Sequence, residues 1–388
     1  MKQKINKKDI LKTLRAYSMV IVLVAIAVLF HFLTEGLIFT SMNLTNLILQ
    51  NSYVVILILG MLPVILTGNV DLSVGAILSF VGAVAAILQV SLGWGTLPTL
   101  IVSLLIGIAA GAWNGLWIAK FDIPPFIVTL STQLALRGLT MVVLNGASIG
   151  PFHDTFRWIS SSFLAESFGV DPFVLTVVLA VVACAVFALV MLRDRKAKMA
   201  HGVPVKPIQN TLITIIVLSV VILALSLVMA AYKGYPTVLL LMLVLTVIYN
   251  FICNRTTFGR SLYAIGGNRK AAALSGIKDR KGMFLAYANM GLMSAVAALV
   301  YTARLNAATP KAGTGFELDA IAACYVGGAS VSGGAGTIGG ALIGCFVIAI
   351  LNNGMSMMGV SADWQQTVKG LVILAAVAFD MIPKAKKK

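Results

Sequence analysis

Apolar runs of membrane-spanning length recur along nearly the whole chain, and they constrain the fold more than any other feature of the sequence. A helix needs about 20 predominantly apolar residues to cross the hydrocarbon core of a bilayer. Of the 388 residues, 59% are hydrophobic and only 11% are charged, whereas soluble domains carry about 25% charged residues. The sequence therefore predicts an all-α integral membrane protein in which many helices share the hydrophobic content.

The hydropathy pattern predicts about 10–12 transmembrane helices. The least regular stretch is residues 327–344, which contain eight glycines, so a broken or re-entrant helix lining a cavity is the alternative there. The predicted spans are residues 17–33, 46–67, 73–91, 97–119, 126–146, 172–192, 211–231, 236–253, 283–303, 317–333, 337–353 and 366–382.

The formal net charge of +16 is gathered in four basic clusters. In membrane proteins such clusters orient the chain, because cytoplasmic loops are rich in Lys and Arg, so we do not infer nucleic-acid binding. With twelve spans all four clusters fall on one side, which predicts a cytoplasmic location for both termini. The clusters are Lys2, Lys4, Lys7, Lys8, Lys12 and Arg15; Arg193, Arg195, Lys196, Lys198 and Lys206; the seven basic residues from Arg255 to Lys281; and Lys384, Lys386, Lys387 and Lys388.

The basic clusters also divide the chain into predicted parts. These parts are a cytoplasmic tail at 1–16, N-terminal transmembrane helices at 17–253 with a basic cytoplasmic loop at 193–210, a cytoplasmic loop at 254–282, C-terminal transmembrane helices at 283–382 and a basic cytoplasmic tail at 383–388.

Sequence motifs for catalysis are missing. His31, His153 and His201 lie far apart and match no metal-ligand spacing, so we expect no metal site. The chain contains no GxxxxGK[ST] phosphate loop, so any ATP that drives this protein must be bound by another chain. We predict that the chain is a transport subunit and not an enzyme.

Residues 254–282 interrupt the apolar pattern and are too polar to enter hydrocarbon. Within them "NRKAAALSGI" predicts a short helix, because Asn268 is a favourable N-cap and Gly276 suits the left-handed position that ends a helix. Such a helix cannot span a bilayer but can fill a groove on a partner protein. The alternative is a solvated loop whose basic residues fix topology or contact anionic lipid.

Six ordered motifs between residues 40 and 383 resemble the permease subunits of ABC sugar importers of the ribose, xylose and multiple-sugar type. Within that family the chain resembles most the xylose or multiple-sugar permeases, because ribose-type members lack the additional hydrophobic and basic material at 185–235. The motifs are "GNVDLSVGAI" at 68–77, "GAWNG" at 111–115, "PPFIVTLSTQLALRG" at 124–138, "FGRSLYAIGGN" with "AAALSGI" at 258–277, "GTGFELDAIAACYVGGASVSGGAG" at 313–336 and "NNGMSMMGV" at 352–360.

The resemblance implies a BtuC-like type II ABC importer permease architecture in the cytoplasmic (inner) membrane. It also implies a permease homodimer, or a dimer with a similar permease, joined to two cytoplasmic ATPase domains and to an extracytoplasmic sugar-binding protein. ATP and Mg would bind to the ATPase, and no cofactor would bind to this chain. In the family the loop after "FGR" carries the coupling helix that docks on the ATPase, and the residues here that match its motif are Arg260, Tyr263, Asn268, Ala271, Ala272, Ser275 and Gly276.

Three acidic residues lie in or beside predicted spans, where an ionised carboxylate is costly and is therefore a candidate to face the translocation path. Asp71 lies between two predicted helices, and a cap on the second helix is an equal alternative. Glu317 and Asp319 are two residues apart, which places them on different helix faces. Three amide side chains are further candidates for the path, because they could bind sugar hydroxyls. They could instead form interhelical hydrogen bonds. These side chains belong to Asn114, Asn352 and Asn353.

Two sets of glycines at four-residue spacing predict close helix packing and not dinucleotide binding. Each set has an acidic residue upstream, which suggests an internal repeat. The sets are Gly107, Gly111 and Gly115, and Gly336, Gly340 and Gly344.

The function that we predict is ATP-driven import of a monosaccharide, xylose or a related aldose. A sugar carries no charge, so a weakly polar path suits it. The alternatives are an ABC permease for a branched-chain amino acid or an autoinducer-type solute, and an ion-coupled secondary transporter.

Overall fold

The computed structural model describes residues 18–203, 205 and 207–385, and these residues are almost entirely helical. The predicted tail at 1–16, Lys206 and Lys386 to Lys388 lie outside the described residues. The helices are α1 (Ser18–Leu33), α2 (Ser41–Leu66), α3 (Val74–Ala86), α4 (Thr96–Phe121), α5 (Pro125–Val143), α6 (Asp154–Ser161), α7 (Leu164–Phe168), α8 (Pro172–Ala200), α9 (Ile208–Ala230), α10 (Thr237–Arg255), α11 (Thr257–Gly267), α12 (Arg269–Leu274), α13 (Asp279–Leu305), α14 (Phe316–Val326), α15 (Ile338–Met357) and α16 (Ala362–Ala385).

Nine helices in the described part of the chain are long and apolar enough to cross a membrane: α2, α3 with its π-helical end to Ser91, α4, α5, α8, α9, α10, α13 and α15. Helix α1 is apolar but has only 16 residues, and α16 has 24 residues that include Asp363 and Lys369. No β-strand forms among the described residues, where pairing is limited to two isolated bridges. The prediction of an all-α membrane protein is confirmed.

The predicted span at 317–333 is a broken helix, which confirms the alternative that its glycines suggested. Helix α14 has 11 residues, or about 16 Å at 1.5 Å per residue, and cannot cross a bilayer. It ends at Val326 with Gly327 as its C-cap, after which Gly328 adopts a positive φ of 89° that residues with a side chain rarely adopt. The loop that follows packs against the end of α2, where the Gly334 N–H donates to the Leu66 carbonyl at 2.9 Å.

The core of the bundle is formed by α2, α3 and α13. In each of these helices, about two thirds or more of the residues in the most apolar window are buried inside the chain. In α8 and α9 only 11% of the residues in the corresponding window are buried. Helices α8 and α9 pack chiefly on each other at the periphery. They contain most of the additional hydrophobic material at 185–235. This material therefore lies at the periphery of the bundle and does not form part of its core.

Glycines bring the backbones of α4 and α13 into direct contact. A Cβ atom added to Gly111 would lie 2.3 Å from the Tyr287 carbonyl oxygen, and one added to Gly291 would lie 2.1 Å from the Gly107 carbonyl oxygen. Gly115 likewise faces the Phe284 backbone. Such approach is the usual way in which membrane helices associate, because lipid provides no hydrophobic force between them.

Gly111→Ala should therefore destabilise the protein by about 1–3 kcal/mol, the usual cost of overpacking. Gly138→Ala is the matched control, because Gly138 lies on α5 with no atom within 4 Å of an added Cβ and alanine favours the helix. We expect fluorescence-detected size-exclusion chromatography after heating to give a lower midpoint for Gly111→Ala alone. Equal midpoints for the two variants would contradict the close contact.

Candidate functional site

Three segments meet at one end of the bundle, which we call the basic end: residues 120–124, residues 193–200 and the loop at 254–282. Ion pairs join them. Arg255 Nη2 lies 3.3 Å from Asp194 Oδ1, and Arg269 Nη2 lies 2.8 Å from Asp122 Oδ1. Two of the predicted basic clusters thus lie at the same end, as the two spans between them, α9 and α10, require.

The short helix predicted at "NRKAAALSGI" is confirmed as α12, with both of its predicted caps. The Asn268 side chain accepts a hydrogen bond from the Ala271 N–H at 3.0 Å. At the other end Gly276 has a φ of 84°, and the N–H groups of Gly276 and Ile277 donate to the carbonyls of Ala273 and Ala272 at 3.0 and 3.1 Å. This pair of bonds is a Schellman motif, so α12 is held rigidly at both ends.

Helix α12 packs through one residue and exposes the rest. Ala272 is buried, whereas Ala271 and Ser275 are exposed and the Leu274 side chain is 91% exposed. Lys270 is also exposed and forms no ion pair with a described residue. A rigid helix that presents a bare leucine beside a lysine is suited to bind a groove with apolar and acidic groups.

Asp122 ties α12 to the corner between α4 and α5. Its Oδ1 accepts from Arg269 at 2.8 Å and its Oδ2 from Arg280 at 3.1 Å, while Arg269 Nε donates to Asp279 Oδ2 at 2.6 Å. The hydrogen bond from Arg269, helped by the charges of both arginines, lowers the pKa of Asp122 below its ordinary value. The tether is therefore fully formed above the ordinary aspartate pKa of about 3.9 and is lost only as the pH falls through the lower pKa of the folded protein.

Sequence reasoning missed Asp122 and its partners. The Arg269 guanidinium group is shared between Asp122 and Asp279 and is therefore held within the chain. The available signal was an acidic residue in "KFDIPP", the short connection between α4 and α5. Only the fold shows that it lies beside a loop more than a hundred residues later.

The two other predicted loop residues lie on α11. Arg260 is exposed, whereas the Tyr263 hydroxyl donates to the Gly336 carbonyl at 2.7 Å and so links α11 to the loop before α15. Gly266 supports this contact, since an added Cβ there would lie 1.9 Å from the Leu66 carbonyl oxygen. Helix α11 is thus seated on the ends of α2 and α15.

Asp71 and Asn114 belong to one buried chain of hydrogen bonds between helices. Thr132 Oγ1 donates to Asn114 Oδ1 at 2.7 Å, Asn114 Nδ2 donates to Ser73 Oγ at 2.8 Å, and Ser73 Oγ donates to Asp71 Oδ1 at 2.6 Å. The Ser73 N–H also donates to Asp71 at 2.8 Å, just before α3 begins. The Asp71 carboxylate therefore organises the start of α3, and the network joins α3, α4 and α5.

Glu317 and Asp319 face different neighbours, as their spacing predicts. Glu317 Oε1 accepts from Gln133 Nε2 of α5 at 3.0 Å. Asp319 Oδ1 pairs with Lys369 Nζ of α16 at 3.0 Å, beside a cavity of about 10 Å³. Helix α14 is thereby held between α5 and α16 by polar contacts that sequence reasoning did not identify.

The remaining path candidates also have structural neighbours. Asn353 exchanges two amide hydrogen bonds with Asn43 of α2, at 2.9 and 3.0 Å, while Asn352 Oδ1 is buried without a hydrogen-bond partner among the described residues. Within that part of the chain, no three His, Cys, Asp or Glu side chains come together as metal ligands.

The second set of glycines lies between α14 and α15. Added Cβ atoms at Gly340 and Gly344 would lie 2.3 Å from the Gly327 carbonyl oxygen and 2.0 Å from the Ala323 carbonyl oxygen. Gly336 differs, because it lies in the loop before α15 with a φ of 148°. The predicted internal repeat stays a prediction.

Asp122→Asn should loosen α12 while leaving the bundle intact. The ion pairs are exposed and screened by solvent, so the effect should be local. We expect faster amide hydrogen exchange in residues 268–281 with unchanged exchange in α13 beyond residue 285. Asp154→Asn is the control, because it removes an exposed ion pair with Arg157 elsewhere in the chain. Unchanged exchange in residues 268–281 of Asp122→Asn would contradict the tether.

Comparisons with known proteins place the chain among membrane permeases. Residues 43–377 match the family model described as branched-chain amino acid transport system / permease component. The xylose transport system permease protein of Escherichia coli K12 is 38% identical over 96% of this chain and 93% of its own length. The Haemophilus influenzae protein of that name is 37% identical over 96% of this chain and 98% of its own length.

A ribose import permease protein, from Bacillus subtilis, is 36% identical over 87% of this chain and 84% of its own length. No solved structure matches the chain. The matches to the family model and to these full-length relatives are extensive, and the chain belongs to the transport-system permease family that they define.

Proposed function

We propose that the chain is the permease subunit of an ATP-driven ABC importer that translocates a monosaccharide, xylose or a related aldose, across the cytoplasmic membrane. The observation that carries this proposal is the similarity to xylose permeases over 96% of the chain. It extends through α8 and α9 as well as through the helices of the core. The family description mentions branched-chain amino acids, but the named relatives considered above transport sugars.

The ATPase would dock on α12 and would be a separate subunit that binds ATP and Mg. Support comes from the rigid caps of α12 and from Leu274, whose side chain has almost no neighbours in the isolated chain. Burying a leucine typically contributes about 1.5–3 kcal/mol. The exposed Lys270 would add electrostatic attraction to an acidic rim on the ATPase.

Motion of α12 would reach the membrane helices through two routes. One is covalent, because residues 275–278 lead directly into α13. The other is the Asp122 tether, which pulls on the corner between α4 and α5. The buried network of Asn114 and Thr132 then couples these helices to Ser73 and Asp71 at the start of α3.

In this proposal most polar residues near the path position helices and do not hold the sugar. Asn114 and Asn353 already have partners inside the protein, and so does one carboxylate oxygen of Asp71. Three path candidates carry a buried oxygen without a hydrogen-bond partner among the described residues: Asp71 Oδ2, Glu317 Oε2 and Asn352 Oδ1. Specificity would lie mainly in an extracytoplasmic sugar-binding protein that delivers the sugar to a permease dimer.

The proposed orientation places the basic end and both termini in the cytoplasm. The argument is the positive-inside rule applied to clusters that the ion pairs bring to one end. The ATPase would then approach α12 from the side where ATP is available.

Purification of the tagged chain in mild detergent from its native membranes should recover an ATPase subunit in about equal amount. After reconstitution with that ATPase and the binding protein, we expect xylose uptake that requires ATP and is blocked when the ATPase is left out. Mass spectrometry and radiolabelled sugar uptake provide the two measurements.

The same assays separate the alternatives. Uptake that an ionophore abolishes and loss of the ATPase does not affect would overturn the proposal in favour of an ion-coupled transporter. ATP-dependent uptake of leucine or of an autoinducer-type solute, without uptake of any aldose, would leave an ABC permease with another substrate.

Leu274→Asp should weaken ATPase association about 10–100-fold, the factor that corresponds to losing one buried leucine. Because the side chain is exposed, the variant should remain folded and monodisperse. Val203→Asp is the control, since Val203 is an exposed apolar residue that lies just after α8 in a connecting loop. Equal association of both variants in a pull-down titration would remove α12 as the docking element.

A further inference from the structure

A groove at the basic end combines an apolar floor with a cationic rim. It has a volume of about 280 Å³ and lies between the end of α4 and the start of α13. The floor is formed by Gly115, Leu116, Ala119 and Phe284, and the rim by Lys120, Arg280 and Lys281. Of the three cations only Arg280 is paired with a carboxylate among the described residues, through Asp122.

Aromatic residues place this groove at the boundary of the bilayer. Trp113, Trp117 and Phe121 follow one another along α4, with ring centroids 5.3 and 5.1 Å apart. Trp113 and Phe121 are more than half exposed, and tryptophan is enriched where the hydrocarbon meets the headgroups. Helix α4 ends there, and the charged Asp122 follows directly.

We infer that this groove binds an anionic phospholipid. Lys120 and Lys281 would contact the phosphate of the headgroup, and the first part of an acyl chain would lie on Leu116, Ala119 and Phe284. The charges favour this occupant, because two of the cations, Lys120 and Lys281, have no carboxylate partner among the described residues and the floor contains no acidic group. Lys120 lies 5.5 Å from the centroid of the Phe121 ring, a contact that leaves its charge available to a phosphate. Basic pockets between membrane helices on the cytoplasmic side bind such headgroups in other proteins.

The size of the groove agrees with partial enclosure of one lipid. Ligand pockets usually measure about 300–1,000 Å³, so a volume of about 280 Å³ accommodates a headgroup and the adjoining methylenes and leaves the rest of the lipid in the bilayer. Gly115 lines the groove at the point where α4 comes into close contact with the Phe284 backbone.

Native mass spectrometry of the detergent-purified chain, titrated with phosphatidylglycerol, tests the inference. We expect a one-to-one lipid complex that binds at least about tenfold more weakly in the K120A/K281A variant. The K120R/K281R variant should retain binding because it keeps both charges. The K196A/K198A variant, which removes two exposed lysines from α8 at the same end, should also retain binding.

Three results would overturn the inference. They are equal affinity of K120A/K281A and the unaltered chain, equal binding of phosphatidylcholine with the same acyl chains, and displacement of the bound lipid by a purified ATPase subunit, which would assign the groove to a protein interface. Inorganic phosphate should form no complex at the same concentration, and its binding would indicate a free-anion site.

Discussion

The backbone contact between α4 and α13 is the constraint on which the rest of the structure depends. Gly107, Gly111 and Gly291 allow two long helices to touch without side chains between them, and dispersion forces at such short distances are what stabilise helix pairs in lipid. Helix α13 also packs against α2 and α3. The contact surface between α4 and α13, which has no room for an added methyl group, thus fixes the position of the core helices.

This contact also brings the side chains of the buried hydrogen-bond chain within reach of one another. With α4 held against α13, Asn114 reaches both Ser73 before α3 and Thr132 on α5. A buried amide or carboxylate without partners is costly in a low-dielectric interior. The glycine packing therefore supports the hydrogen-bond chain, because the close approach of the helix backbones lets buried polar side chains reach partners.

Sequence reasoning succeeded where the determinants are local. The caps of α12 depend on Asn268 and Gly276, which are neighbours of the residues they cap, and the spans depend on continuous apolar runs. It failed where contacts join distant parts of the chain, as for Asp122 with Arg269 and Asp319 with Lys369. Hydropathy also could not distinguish a short helix followed by a glycine loop from a full span, because glycine is only weakly polar and its effect at Gly327 and Gly328 is conformational.

The peripheral position of α8 and α9 has a practical consequence for imaging the protein. These two long helices touch the core over a small area. Helix α8 ends at the basic end, where the chain turns towards α9. A rigid soluble domain fused continuously into α8 and α9 would project from the membrane as a fiducial mark for cryo-electron microscopy. Such a mark would aid the alignment of particle images of the protein.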